Sequence, residues 1–136
     1  MKVEEIKKIY ASYSRVYDFI FKRWFYPRQR YAIQSLDIKP GQRVLDVGVG
    51  TGFSLSLYPR HARITGVDLS NKMLQEAQKK VQREKLSHVT LLEMDASHLC
   101  FPDNTFDFVI AAFVISVVPD PVQVIAEMKR VSKPQG

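Results

Sequence analysis

RVLDVGVGTG, residues 43–52, is the stretch whose reading decides the fold. Arg43 to Val47 is a short apolar run with one acid, Asp46, near its end, as in a strand buried between two helical layers. Gly48, Gly50 and Gly52 follow at once, so the chain turns sharply, bares its backbone and lets a cofactor approach the N–H groups at a helix start. Two details separate this loop from a dinucleotide fingerprint. The glycines are spaced G-x-G-x-G, and Phe53 stands where G-x-G-x-x-G requires the third glycine. Asp46 also lies two residues before the first glycine, where a carboxylate repels a pyrophosphate but suits a ligand with positive charge at its amino-acid end. S-adenosylmethionine, with an ammonium, a sulfonium and no phosphate, is such a ligand. A strand–turn–helix that merely needs glycines is the alternative.

Around this loop the composition is that of one domain. The 136 residues are 46% hydrophobic and 25% charged, ordinary globular values for a chain long enough to bury a core. No apolar run approaches the roughly 20 residues that span a bilayer, and no signal peptide is visible. The single cysteine, Cys100, rules out an internal disulfide, fits a reducing cytoplasm, and is expected to be a small buried residue in LCFP. His61, His88 and His98 lack metal-ligand spacing, so no metal is expected.

The net charge of +6 is unevenly placed. Residues 1–31 hold eight Lys or Arg against three Asp or Glu, and nine of the fifteen aromatics. Val3, Ile6, Tyr10, Tyr13, Tyr17, Ile20 and Trp24 recur at helical spacing on one face, with Lys8, Arg15 and Lys22 on the far side. Pro27 is expected to stop the pattern. Such a helix suits a lid over the domain, a contact with an anionic membrane surface, or both. Nucleic acid is not expected, because the aromatics follow core spacing rather than interleaving with the basic residues.

Along the rest of the chain, a helix is expected at about Gln29–Leu36, strands at Arg43–Val47, Arg63–Asp68, Val89–Met94 and Phe106–Phe113, and helices at Asn71–Lys85 and about Val122–Val131. Pro59 should keep the helix after Gly52 short. Ser70 and Asp120 suit N-caps, Pro121 suits a first helical turn, and Glu76 with Lys80 forms an exposed pair. Alternating strands and helices imply an α/β fold with a parallel sheet and right-handed crossovers, whose ligands bind outside the carboxyl ends of the strands. Gly48–Gly52, Asp68, Asp95 and Ala111–Phe113 all fall at that edge.

The candidate cofactor-binding residues are Asp46, Gly48, Gly50, Thr51, Gly52, Asp68, Leu69, Met73, Asp95, Ala96 and Ala112. Asp68, at the end of the strand beside the loop, can accept both ribose hydroxyls; its alternative is helix capping. Leu69 and Met73 can flank the adenine, and Asp95, beside Ala96, can accept from its amino group or be a solvated loop acid. Asp46 can orient the ammonium, or be a turn acid satisfied by loop N–H groups.

RVLDVGVGTG, TGVDLSNKML, EMDAS, FDFVIAAFVISVVPDP and RVSKPQG, in that order, resemble the class I S-adenosylmethionine-dependent methyltransferases over about residues 31–136. Within them the aromatic N-terminal helix with VYD, GVGTGFSLSLYPR and VISVVPDP resemble the soluble bacterial phosphatidylethanolamine N-methyltransferases; the quinone-biosynthesis C-methyltransferases look next closest. The resemblance implies a Rossmann-like sheet of the class I type. It also implies an N-terminal lid or membrane-contact segment at 1–30, a cofactor-binding domain at 31–136, and Tyr17 over the reacting methyl as the catalytic candidate. The implied acceptor is a lipid amine such as phosphatidylethanolamine, or a quinone or other small molecule, in a cytoplasmic protein peripheral to the inner membrane face. Ser116 and Val117 stand where many small-molecule methyltransferases carry histidines, which argues against a general base there. The family continues beyond KPxG with further strands, so the sheet is expected to be truncated after the fourth. The chain is then expected to be a fragment or truncated product; a cofactor-binding module without turnover is the alternative to an enzyme, and self-association through the open edge is expected.

Overall fold

A computed structural model describes residues 26–111 and 119–134. Tyr17, the helix face Val3–Trp24, Ala112 and Phe113 lie outside the described residues. Among the described residues, four parallel strands, β1 (Arg43–Val47), β2 (Arg63–Asp68), β3 (Val89–Glu93) and β4 (Phe108–Ile110), pair in the order β3-β2-β1-β4. Three helices accompany them among these residues: α1 (Tyr26–Gln34), α2 (Asn71–Glu84) and α3 (Pro121–Val131). The glycine-loop strand lies in the interior of the sheet.

Side-chain alternation along β1 divides the core. Val44 packs with Ile33, Ile38, Ile64, Leu74 and Ala77 on the side of α1 and α2, whereas Leu45 and Val47 pack with Val67, Leu99, Phe106 and Val131 on the side of α3. Val44, Leu45 and Val47 are fully buried, as a strand covered on both faces requires. By the same period, Asp46 shares the face of Val44. Its carboxylate therefore enters the layer under α2 rather than solvent.

Several boundaries differ from expectation. Among the described residues α1 covers Tyr26–Gln34, ending before Leu36. After Gly52 the chain makes only a 3-10 turn at Leu55–Leu57 before Pro59. β3 ends at Glu93, although the Met94 N–H still donates to the Asp68 carbonyl (3.0 Å). Among the described residues β4 pairs with β1 over Phe108–Ile110, starting two residues after Phe106. Phe106 is instead tied to the chain after α3, its N–H donating to the Val131 carbonyl and its own carbonyl accepting from Lys133 (both 2.9 Å).

The helix ends follow their sequence signals. Ser70 caps α2 by accepting from the Met73 N–H, Lys85 closes it in the left-handed region, and Asp120 caps α3 by accepting from the Gln123 N–H. The expected Glu76–Lys80 pair does not form: Glu76 pairs with Lys79 (3.1 Å) and Lys80 with Glu84 (2.9 Å). Cys100 is exposed, contrary to expectation, because Leu99 takes the inward place in that extended segment. Arg130 fastens α3 to the same segment, donating to the carbonyls of Leu99 and Phe101 and to Glu127 and Asp103.

Candidate functional site

The ladder sets Val47 opposite Val67 and Asp68 opposite Glu93, so the ends of three strands open on one edge. There the glycine loop folds back on the sheet. The N–H groups of Gly48 and Val49 both donate to the Val67 carbonyl (2.8 and 3.0 Å), and that of Gly52 to the Val49 carbonyl (3.0 Å). The Gly50 N–H donates to Asp68 Oδ2 (2.8 Å). Gly48, Gly50 and Gly52 have φ of +74°, +60° and +82°, which explains the residue type at each. These four donors are spent inside the protein, which corrects the expectation that they meet a ligand. The segment that follows is a three-residue 3-10 turn, not an α-helix start. The loop is thus a poor cradle for a pyrophosphate.

Gly50 and Gly52 differ in what their bareness provides. A Cβ on Gly52 would lie 2.7 Å from Leu55 Cδ1 and 3.0 Å from Ala77 Cβ, so that glycine lets α2 close on the loop. A Cβ on Gly50 would meet only Met73 Sδ, at an ordinary 3.7 Å. Met73 is fully buried, with half-buried Leu69 packed on it, and its sulfur lies over the loop at Gly50.

Two carboxylates lie beneath and beside this loop. Asp46 is 2% exposed, and its Oδ2 accepts from the Tyr58 hydroxyl (2.7 Å) and the Ser54 hydroxyl (2.9 Å). Burial pushes its pKa up to about 6; the two hydroxyl bonds pull it back down, and the Asp68 charge adds to the rise. Asp68 is 3% exposed, with Oδ2 bonded to the Gly50 N–H and Oδ1 to the Ser70 N–H (2.9 Å). Burial raises its pKa too, against the lowering effect of those backbone donors. Asp68 is therefore a clasp between loop and helix as well as a ligand candidate. The Leu69 N–H is a third backbone donor to this carboxylate, which leaves part of its accepting capacity for a ligand hydroxyl.

The other candidates are placed less centrally. Asp95 Oδ1 accepts from the N–H and hydroxyl of Ser97 (2.9 and 2.8 Å), closing a local turn just past β3. Ala96 is half-buried against the α3-side core, and Thr51 is half-buried within the loop. The structure brings Asp46, Gly48, Gly50, Asp68, Leu69 and Met73 together, with Asp95 and Ala96 at the neighbouring strand end. Sequence reasoning missed Ser54 and Tyr58 as partners of Asp46. The signal was available: a buried acid must find donors, and the segment after the loop carries hydroxyls.

The donor set suits S-adenosylmethionine. Asp46 and Asp68 have no ion-pair partner among the described residues, so a cationic ligand would relieve two buried negative charges. No group of three His, Cys, Asp or Glu that could hold a metal occurs among the described residues.

A parallel sheet in this order, with a glycine turn after β1 and acids at the ends of β1 and β2, defines a Rossmann-like domain of the class I methyltransferase type. The chain belongs to the methyltransferase domain family, whose model matches residues 45–136, and S-adenosylmethionine is that family's cofactor. It is 44% identical over 97% of its length to a phosphatidylethanolamine N-methyltransferase of Cereibacter sphaeroides, covering 66% of that protein. It is 34% identical over 96% of its length to a demethylmenaquinone methyltransferase of Geobacillus sp. (strain WCH70), covering 57% of it. Among solved structures it resembles the Haemonchus contortus phospholethanolamine N-methyltransferase 2, in complex with phosphomonomethylethanolamine and S-adenosylhomocysteine. That match has a TM-score of 0.68 and 34% identity over 79% of this chain and 26% of the other. The chain thus spans less than two thirds of the length of these curated relatives.

Proposed function

We propose that the protein transfers a methyl group from S-adenosylmethionine to a lipid amine, phosphatidylethanolamine or one of its close relatives. The observation that carries the acceptor class is the 44% identity, over 97% of the chain, to a phosphatidylethanolamine N-methyltransferase. Methylation of a quinone or another small molecule is the second reading, favoured by the 34% identity to a demethylmenaquinone methyltransferase. Binding of the cofactor without turnover is the third.

In the proposed assignment, Asp46 orients the ammonium, Asp68 accepts the ribose hydroxyls through its remaining lone pairs, Leu69 and Met73 flank the adenine, and Asp95, with Ala96, borders its amino group. Gly48, Gly50, Thr51, Gly52 and Ala112 line the approach. When bound, the cofactor supplies a methyl group already activated by a sulfonium. The protein's contribution is then orientation and exclusion of water. Tyr17, in the aromatic N-terminal segment, would close over the methyl and stabilise positive charge arriving on nitrogen. The amine must first lose a proton, which water or a lipid phosphate can take.

Residues 1–30 act in this reading as a lid and as a contact with anionic membrane, placing the protein on the cytoplasmic face of the inner membrane. No helix among the described residues is long and apolar enough to cross a membrane. Glutamine at Lys8, Arg15 and Lys22 should weaken binding to anionic vesicles, each lysine or arginine contributing about 1 kcal/mol at such a surface.

The test is methyl transfer by the purified chain, followed by mass spectrometry. Vesicles containing phosphatidylethanolamine are offered in one arm and demethylmenaquinone in the other. N-methylated lipid is expected. Methylated quinone alone would select the second reading, and binding without transfer the third.

A further inference from the structure

We propose that Tyr58 and Ser54 are positioning residues, whose hydroxyls hold one oxygen of Asp46 and so set its carboxylate for the ammonium at the cofactor's amino-acid end. This rests on the reading of the loop as an S-adenosylmethionine site. Tyr58 is 3% exposed and Ser54 2%, and both lie in the short segment that follows the glycine loop. A buried phenol needs one acceptor, and any carbonyl would serve. Here two hydroxyls from the two ends of one 3-10 turn converge on a single atom, Asp46 Oδ2, at 2.7 and 2.9 Å. That oxygen's two lone-pair directions are thereby filled. What Asp46 offers a ligand comes from Oδ1, and the two hydroxyls fix the plane of the carboxylate.

The same bonds govern its charge. Burial and the neighbouring Asp68 of β2 favour the neutral acid, whereas the Tyr58 and Ser54 bonds favour the carboxylate. β2 and β4 place Gly66 and Ile110 beside Asp46 in the ladder, and neither titrates. Tyr58 remains a donor throughout, because burial and the Asp46 charge push its own pKa well up. Only the ionised form attracts an ammonium, so losing a hydroxyl should cost affinity for that group and raise the pH at which Asp46 takes a proton.

The experiment measures binding of two ligands to the full chain across pH by calorimetry. S-adenosylhomocysteine carries the ammonium; 5′-methylthioadenosine has the same nucleoside and thioether without it. Tyr58→Phe and Ser54→Ala are each compared with the wild type. The expected result is a loss of about tenfold for S-adenosylhomocysteine, with 5′-methylthioadenosine held within about twofold. The acid limb of the S-adenosylhomocysteine profile should also move to higher pH. Equal losses for both ligands would make the hydroxyls packing groups and overturn the proposal, as would an unchanged affinity and profile. A wild-type chain that binds neither ligand would overturn the cofactor reading itself. Should Tyr58→Phe fail to fold, Ser54→Ala, which removes one small hydroxyl, decides between these outcomes.

Discussion

Asp46 costs the fold stability in order to carry charge at its site. Its pKa in the folded chain, about 6, lies above the ordinary 3.8. The folded state therefore holds the proton more tightly than the unfolded chain, so this stabilisation is present in acid and lost as pH rises through about 6. At neutrality the cost is on the order of 2–3 kcal/mol. Asp46→Asn keeps an acceptor for Tyr58 and Ser54 without the charge. It should raise the melting temperature near neutrality, flatten its pH dependence between about 4 and 6, and weaken S-adenosylhomocysteine binding. Thermal melts across pH check this, and an unchanged pH dependence would contradict it. Glu84, Glu127 and Asp107 run the other way: their carboxyls are held below the ordinary range, so their contribution is lost only as pH falls further. Asp68 makes a separate prediction. Asp68→Ala strands the N–H groups of Gly50 and Ser70, so it should destabilise by about 2–4 kcal/mol as well as weaken ligand binding. Asp68→Asn, which keeps an acceptor, should recover most of the stability in denaturant titrations. The place of both acids, close to the carboxyl ends of adjacent strands, was legible in the sequence, because the glycines and the apolar runs fix where those strands stop. Their hydrogen-bond partners were not, because hydroxyls bonded across the loop leave no periodic mark.

Among the elements, the contact between the glycine loop and α2 is the tightest constraint. Gly52 has a positive φ, and a Cβ there would collide with Leu55 and press on Ala77. Gly52→Ala should therefore cost about 2–4 kcal/mol, from strain and overpacking together. Chemical denaturation measures it, and a loss under about 0.5 kcal/mol would show that α2 shifts freely. The interior strands β1 and β2 were legible to the residue, since a strand covered on both faces must be apolar and ends where the glycines or the acid begin. β4 was not. Its sequence reads as a strand from Phe106 onward, yet the ladder with β1 starts at Phe108, because the backbone of Phe106 pairs with the residues after α3. Cys100 was misplaced by residue type: small and apolar, it sits at an outward position of an extended segment.

At the scale of the whole molecule, the sheet places every assembled candidate at one edge and its two apolar layers on opposite faces. Among the described residues β4 has a strand on one side only, and Phe108, Val109 and Ile110 are half-buried. The central claim is that the glycine turn with its two buried acids is an S-adenosylmethionine site. Its most direct test is calorimetric titration of the purified chain with S-adenosylhomocysteine near neutral pH. The account predicts saturable one-to-one binding that weakens as pH falls through about 6, where Asp46 takes up its proton. Absence of binding at millimolar ligand, with the fold intact by circular dichroism, would contradict it.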